Sequence, residues 1–195
     1  MIHLPGVLAA AAAIERFCRN KDWRFCFIGG VALQRWGEPR FTQDVDLTLM
    51  TGFGAEEPFV DALLAELTPR LSDARDFALR HRVLLARTSN GVDVDVALGA
   101  LPFEERSVAR ASAWRIVDGT TFTTCSAEDL VVHKAFAGRD LDWSDVERVL
   151  IRQHGRLDLN LIRRELKPLL ELKGDLSAMD KLERLTTTVE RRLRP

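Results

Sequence analysis

The sequence has little net charge, few cysteines and no long apolar run. Its 28 lysines and arginines are offset by 29 aspartates and glutamates, which leaves a net charge of −1. No chain-wide field therefore attracts nucleic acid or a membrane surface, and an anionic partner must be held by a local site. With 46% hydrophobic and 29% charged residues over 195 positions, the composition excludes disordered, collagen-like and disulfide-miniprotein classes. One or two small domains are expected.

The cysteines and the apolar segments exclude two further classes of protein. Cys18, Cys26 and Cys125 lie far apart and form no CxxC pair, which argues against a zinc site or a disulfide framework. We expect reduced, packed thiols. The longest apolar stretch covers residues 4–13, well short of the roughly 20 residues that a membrane span needs, and no basic segment precedes it. We expect a cytoplasmic protein that does not bind membranes.

Hydrophobic periodicity predicts an α/β region followed by helices. The expected order is a helix over 4–20, a strand over 24–28, a glycine turn at 29–30, a helix over 31–36, a strand over 44–50, a helix over 56–71 and a hairpin of strands 78–88 and 92–98. Four helices follow, over about 126–138, 142–153, 159–172 and 176–193. We place the domain boundary between 1–120 and 121–195, although the threonine-rich segment 120–125 also fits an edge strand.

Two aspartates share one face of the predicted strand 44–50. Strict alternation puts Asp44, Asp46 and Thr48 on one face and apolar residues on the other. The two carboxylates are then about 6.6 Å apart, and their repulsion costs roughly 2.5 kcal/mol at an effective dielectric of about 20. A divalent cation removes this repulsion, since Mg²⁺ prefers carboxylate oxygens together with water and phosphate. The alternative is that each carboxylate separately faces water.

A second acidic strand and a glycine turn extend this pattern. Residues 92–96 alternate valine and aspartate, so a neighbouring strand can bring a third carboxylate to the first two, as two-metal chemistry requires. Alternation does not choose between Asp93 and Asp95, which point the same way. Gly29 and Gly30 separate a strand from a helix, where a phosphate can approach the backbone and the free N–H groups of the helix. A tight turn without a ligand gives the same pattern.

These segments resemble the DNA polymerase β-type nucleotidyltransferase superfamily. The resemblance lies in residues 27–33 and 40–47, where a Gly-Gly turn precedes an Asp-x-Asp strand, and in residues 91–95, which resemble the strand with the third carboxylate. Residues 128–146 resemble the lysine-bearing helix, the following arginine and the Asp-x-x-Asp helix start. Within the superfamily, the sequence is similar to the AbiEii-like and minimal nucleotidyltransferases associated with toxin–antitoxin and abortive-infection loci.

The resemblance implies a fold and an activity. The fold is an α/β (α+β) nucleotidyltransferase fold, in which a small mixed sheet is flanked by helices and followed by a C-terminal all-helical region. The activity is Mg²⁺-dependent (or Mn²⁺-dependent) transfer of a nucleoside monophosphate from ATP, GTP or another nucleoside triphosphate to an acceptor hydroxyl of RNA, protein or a small molecule. A toxin–antitoxin or phage-defence role, with an antitoxin partner, is also implied. The alternative is a catalytically silent nucleotide-binding or antitoxin protein of the same fold.

The resemblance also implies roles for individual residues. Asp44 and Asp46 bind the metal ions, and Asp95 completes the site. Asp95 is preferred to Asp93 because the family places this acid just before an apolar stretch that ends in glycine, here residues 96–99. Lys134 contacts phosphate.

Several other residues carry two interpretations. Gly29 and Gly30 bind the nucleotide or form a plain turn, and Arg40 and Thr42 hold either their loop or a phosphate. Asp142 and Asp145 are expected to cap their helix, with ion pairs to Lys134 and Arg139 as the alternative. No role is assigned to the histidines, including His81, His133 and His154.

Charge is unevenly distributed along the chain. Residues 151–195 contain 11 basic and 7 acidic residues, a sum of +4, which leaves 17 and 22 in residues 1–150, a sum of −5. The basic helical tail either touches an RNA or nucleotide-bearing partner or is a solvated amphipathic face.

Overall fold

The computed structural model describes residues 6–194, which form two compact units. The first unit comprises residues up to Val31 together with Phe41–Cys125, and the second comprises Ala32–Arg40 together with the residues from Ser126 onward. The segment 121–125 thus belongs to the first unit, whereas 32–40 belongs to the second although it lies early in the chain.

The first unit is built on a seven-stranded mixed sheet. Its elements, in chain order, are α1 (Gly6–Asn20), β1 (Phe25–Phe27), the start of α2 (Gly29–Trp36), β2 (Asp44–Met50), α3 (Glu57–Leu64), β3 (Thr68–Pro69), α4 (Ala74–His81), β4 (Val83–Arg87), β5 (Asp93–Gly99), α5 (Pro102–Arg110), β6 (Ser112–Arg115) and β7 (Thr121–Thr124). The strand order is β3-β4-β5-β2-β1-β7-β6. Strand β2 is therefore central; it pairs in parallel with β5 and antiparallel with β1.

One hydrophobic core supports this sheet. Buried side chains of α1, α3 and α4 pack with alternate residues of the strands, among them Phe27, Val45, Leu47 and Val94. All four of these side chains are fully buried. Because side chains alternate across a strand, burying this set fixes which residues of β2 and β5 lie on the opposite face.

The second unit is helical. It contains the rest of α2 and four further helices, α6 (Ala127–Ala137), α7 (Asp140–Arg152), α8 (Leu159–Lys173) and α9 (Ser177–Leu193). Helix α6 contacts the other three of these and buries consecutive apolar residues around its axis, as a central helix does. Its start is confirmed as predicted, since the Ser126 side chain accepts a hydrogen bond from the Asp129 amide at 3.0 Å.

The predicted mixed sheet, flanking helices and helical C-terminal region are confirmed, with local corrections. The segment 78–88 was expected to be one strand, but α4 continues to His81, and a left-handed Arg82 (φ +57°) separates it from β4. The helix expected over 56–71 ends at Leu64, because Pro69 has no amide donor and favours extended backbone before it. Residues 4 and 5 of the first predicted helix lie outside the described residues.

The cysteines are packed as the sequence analysis predicts. All three lie among the described residues, are buried and form no disulfide. Between residues 6 and 194, no helix combines the length and the apolar character that crossing a membrane requires.

Candidate active site

The parallel pairing of β2 with β5 aligns four aspartates in two pairs. Asp44 lies opposite Asp93, and Asp46 lies opposite Asp95. Each acid alternates with a buried residue such as Val45, so all four occupy the face of the sheet turned away from that core. Asp44 is exposed and the other three are partly exposed. The two predicted acidic strands therefore form one continuous acidic surface.

The glycine turn between β1 and α2 lies directly against this surface. The Ile28 amide donates to the Asp46 carbonyl oxygen at 3.0 Å. A Cβ atom on Gly29 would lie 2.0 Å from Asp46 Oδ2, and one on Gly30 would lie 2.3 Å from Thr42 Oγ1. Gly29 also has a φ of +53°, which glycine adopts without strain. Both glycines are therefore required by the close approach of the acidic strand and its preceding loop.

Thr42 orients the first acid. Its hydroxyl donates to Asp44 Oδ1 at 3.0 Å, and its side chain is buried against the turn. The threonine therefore fixes the position of one oxygen of Asp44.

The two acids of β5 have different surroundings. Asp93 is 2.6 Å from Arg87 Nε and 3.5 Å from Arg70 Nε, and the hydrogen bond from Arg87 lowers its pKa. Asp95 is 2.5 Å from Arg70 Nη1. Burial nevertheless raises the pKa of Asp95, and the nearby charges of Asp44 and Asp93 raise it further against the effect of Arg70. Asp95 is thus the carboxylate on β5 whose negative charge is incompletely compensated.

The acidic surface suits a hard divalent cation by its chemistry. Carboxylate oxygens on two adjacent strands are the donors that Mg²⁺ and Mn²⁺ take, and the absent Cβ atoms of Gly29 and Gly30 let the turn approach them. Within residues 6–194, no three His, Cys, Asp or Glu side chains are grouped as a ready metal site. The Asp95 carboxylate is instead held by Arg70.

Arg70 and Arg87 are components of this surface that the sequence analysis missed. Arg70 directly follows β3 and Arg87 is the last residue of β4, and neither position gives a local signal. The hairpin signal at 89–91 does place β4 beside β5, so only strand pairing, worked out residue by residue, could have found Arg87.

Lys134 lies in a second cluster, inside the helical unit. Its Nζ atom is 3.0 Å from Asp142 Oδ1 and 3.0 Å from Asp145 Oδ2, so two of its three N–H donors are used. Arg40 makes a bidentate contact with Asp145, in which Nε donates to Oδ1 at 2.9 Å and Nη2 donates to Oδ2 at 2.8 Å. Gln34 donates to the Arg40 carbonyl oxygen at 3.1 Å and fixes the loop. Lys134 is therefore a nearly buried lysine positioned by two aspartates.

The protonation of these aspartates is controlled by their partners. Burial alone would raise the pKa of both carboxyl groups, but hydrogen bonds hold both pKa values below the ordinary 3.8. The donors are Arg139 and Lys134 for Asp142, and Arg40 and Lys134 for Asp145. Both aspartates are consequently charged at neutral pH.

The cluster is rich in cationic side chains. Four of them contact Asp142 or Asp145: Lys134, Arg40, Arg139 and Arg148. Arg148 also lies 3.7 Å from the carboxylate of Glu38. The Arg139 side chain is 77% exposed, and a cationic group at the surface is suited to attract an anion such as a phosphate group.

The expectation that Asp142 and Asp145 mainly cap their helix is corrected here. Helix α7 begins at Asp140 with Arg139 as its N-cap residue, two residues earlier than predicted. Asp142 accepts the Arg139 amide at 3.3 Å and so caps in part, but Asp145 lies too far inside the helix to do so. Both serve as ion-pair partners. His133 is buried, which lowers its pKa to about 4, so it is neutral at physiological pH.

Comparison with known proteins identifies one family. A model described as the nucleotidyl transferase AbiEii toxin of a type IV toxin–antitoxin system matches residues 15–188. This range includes the glycine turn, both acidic strands and the helix that carries Lys134. No curated protein sequence matches the chain.

Solved structures with partial similarity include three proteins. An antigenic nucleotidyltransferase-like protein from Paracoccidioides brasiliensis is 14% identical, covering 87% of this chain and 89% of its own, with a TM-score of 0.49. The antibiotic-resistance factor ANT(2'')-Ia is 15% identical over 95% and 90%, with a TM-score of 0.43. JHP933 from Helicobacter pylori is 13% identical over 96% and 94%, with a TM-score of 0.41. Because these TM-scores are below 0.5, family membership rests on the sequence match.

The first prediction concerns the close approach at Gly29. Replacing Gly29 with alanine should lower the free energy of unfolding in urea, because the new Cβ would overlap Asp46. Gly52 provides a matched control, since it also has positive φ (+77°) but nothing within 4 Å of its Cβ position. Gly52→Ala should cost about 1–2 kcal/mol from backbone strain alone, and Gly29→Ala a further 1–3 kcal/mol or so from the overlap. Equal losses would contradict the steric role of Asp46.

The second prediction concerns the ion pairs of Asp145. Asp145→Asn should lower the free energy of unfolding at pH 7 by about 2 kcal/mol, because Arg40 and Lys134 lose a buried carboxylate. Glu147→Gln on the same helix removes only a peripheral pair 3.9 Å from Arg192 and should cost less than about 1 kcal/mol.

The same variant has an expected pH dependence. Because the pKa of Asp145 is lowered in the folded state, its stabilisation is present above the ordinary pKa and is lost as the pH falls through the folded value. The difference between wild type and Asp145→Asn should therefore narrow as the pH is lowered below the ordinary aspartate pKa of 3.8. A difference that stays constant over this range would show that Asp145 does not act through its charge.

Proposed function

Since the chain belongs to the AbiEii nucleotidyltransferase toxin family, we propose that it transfers a nucleoside monophosphate from a nucleoside triphosphate to an acceptor hydroxyl. The family match confirms the predicted resemblance and the predicted enzyme class, nucleotidyltransferase. The observation that carries the proposal is the register of β2 and β5, which aligns Asp46 with Asp95 beside the Gly29–Gly30 turn.

The reaction requires one bond to form and one to break. The acceptor hydroxyl loses its proton, its oxygen bonds to the α-phosphorus, and the bond from that phosphorus to the bridging oxygen breaks to release pyrophosphate. A bound Mg²⁺ or Mn²⁺ would neutralise phosphate charge and lower the pKa of the attacking hydroxyl. Asp44, Asp46 and Asp95 are the residues proposed to hold the metal.

The assignment of Asp95 rather than Asp93 is supported by their partners. Asp93 is shared between Arg87 and Arg70, so its charge is already neutralised. Asp95 lies directly opposite Asp46, and the neighbouring Asp44 and Asp93 charges help to raise its pKa. A carboxylate in this condition gains most from a cation.

The Gly29–Gly30 turn and the loop that contains Thr42 position the acids of β2. Gly29 and Gly30 allow the start of α2 to lie against Asp46 and Thr42, and Thr42 holds one oxygen of Asp44. The free amides at the beginning of a helix are suited to phosphate oxygens. We therefore assign nucleotide binding to Gly29 and Gly30 and a positioning role to Thr42.

Lys134 is proposed to contact a phosphate group of the nucleotide. Its support is the group of cationic side chains in its cluster and the third donor of Nζ, which has no partner among the described contacts. Arg40 supports the same cluster through Asp145. We propose a positioning role for Arg40, because its guanidinium makes a bidentate contact with that aspartate.

The cellular partner is proposed from the family description, and the acceptor is proposed only as a class of molecules that carry a hydroxyl group. The matched family is named as a toxin of a type IV toxin–antitoxin system, so we propose that the chain works with an antitoxin partner and modifies RNA, protein or a small molecule in the cell. A role in phage defence belongs to the same proposal.

The proposal is tested by following label from each α-³²P nucleoside triphosphate into cell extract in the presence of Mg²⁺. Wild type should transfer label. Asp46→Asn and Asp95→Asn should each reduce the transfer about 100-fold or more, because a metal-binding carboxylate is lost. Asp93→Asn is the matched control and should change it by less than about fivefold.

The outcomes separate the proposed enzyme from a silent relative. Nucleotide binding by calorimetry without label transfer, in any fraction of the extract, would identify a nucleotide-binding partner protein instead. Equal loss in Asp93→Asn and Asp95→Asn would reject the choice of Asp95.

The role of Lys134 is tested by enzyme kinetics. Lys134→Gln should raise the KM for the triphosphate about tenfold, which corresponds to the loss of one charge-assisted phosphate contact. Lys173→Gln is the control, since Lys173 is an exposed lysine bonded to the Phe136 carbonyl oxygen. A lysine that only stabilises α6 and α7 would lower the unfolding temperature and leave KM unchanged.

A further inference from the structure

Arg70 lies in the same row of the sheet as the proposed metal-binding acids. Its amide donates to the Leu85 carbonyl oxygen at 3.1 Å, Leu85 pairs with Asp95, and Asp95 pairs with Asp46. Residues paired across adjacent strands project from the same face. The Arg70 side chain therefore extends along the acidic surface, and its Nη1 atom reaches Asp95 Oδ1 at 2.5 Å.

The second arginine, Arg87, lies in the neighbouring row of residues paired across the strands. Arg87 pairs with Asp93, which pairs with Asp44. The two rows thus bring two arginines to four aspartates, and the ion pairs assigned to both arginines go to the acids of β5. Among the described residues, the side-chain ion pair of Arg87 is with Asp93, whereas Arg70 reaches both Asp93 and Asp95.

The contact with Asp95 falls on a carboxylate that the proposed function requires. A guanidinium and a divalent cation satisfy the same oxygens, so the two compete when they share a carboxylate. We propose that Arg70 is the resident counter-ion of Asp95, and that it must release this carboxylate when a divalent cation binds. This inference rests on the proposed function and adds a positioning residue to its site.

The fold allows the exchange. Strand β3 has only two residues, both exposed, and lies at the edge of the sheet. The Arg70 backbone is held there by its bond to Leu85, but the guanidinium sits at the end of a long side chain that is 27% exposed. An ion pair with this exposure is weak, so a doubly charged cation that also gains Asp44 and Asp46 can displace it.

The experiment measures Mn²⁺ affinity without nucleotide, by calorimetry and by the Mn²⁺ electron paramagnetic resonance signal. Arg70→Gln should bind Mn²⁺ about five- to tenfold more tightly than wild type, because the competing cation is gone. Arg87→Gln is the matched control. It also removes one arginine that pairs with β5 but leaves Asp95 untouched, so its Mn²⁺ affinity should change less than about twofold.

A double variant identifies the carboxylate involved. In an Asp95→Asn background, Arg70→Gln should alter Mn²⁺ affinity by less than about twofold, since the shared group has been removed. Arg70→Lys keeps the charge and should bind Mn²⁺ more weakly than Arg70→Gln. Thermal unfolding in EDTA checks that each variant is folded.

Three outcomes would overturn the role of Arg70. They are unchanged or weaker Mn²⁺ binding in Arg70→Gln, an equal gain in Arg87→Gln, and a gain that persists in the Asp95→Asn background. None of these depends on label transfer. A wild type that transfers label, with Arg70→Gln binding Mn²⁺ as wild type does, would reject only this inference and leave the proposed function standing.

Discussion

The parallel pairing of β2 with β5 is the constraint on which the rest of the first unit depends. It places like charges side by side, Asp44 with Asp93 and Asp46 with Asp95, an arrangement that destabilises a sheet unless the charges are compensated. The burial of residues such as Val45 and Val94 fixes the register, because a slip by one residue would turn these valines to the acidic face. The packing of the core therefore holds like charges together, and their repulsion must be offset by cations or hydrogen-bond donors near the acids.

The aspartates of the acidic surface are compensated to different extents. Arginines on β4 and just after β3 form ion pairs with the acids of β5, while on β2 a threonine hydroxyl fixes Asp44 without adding charge. In the helical unit, by contrast, four cationic side chains surround the carboxylates of Asp142 and Asp145. The net charge of −1 thus hides an acidic surface suited to cations and a separate cluster rich in arginine and lysine.

The strongest periodic patterns in the sequence located the helices and strands that carry the candidate site. Contacts between distant segments were not predicted. Alternation in residues 44–50 gave β2 its correct bounds, and the capping pattern at Ser126 located α6. Helix α5 was missed although Pro102 and Glu104 mark its start. The pairing of Arg40 with Asp145 joins residues 105 positions apart, and Arg70 reaches Asp95 across an intervening strand. Such contacts leave no pattern in the local sequence, so the ion-pair partners were identified only from the structure.

The glycines show why spacing carries information that single residues lack. A Gly-Gly pair alone indicates a turn, and an Asp-x-Asp strand alone indicates an exposed acidic face. Here the Gly29 Cα lies where a Cβ would overlap the Asp46 carboxylate, and Gly30 has the same relation to Thr42. The two motifs therefore constrain each other sterically, and the loop between them must return the chain from α2 to the centre of the sheet. A change at either motif therefore alters the space available to the other.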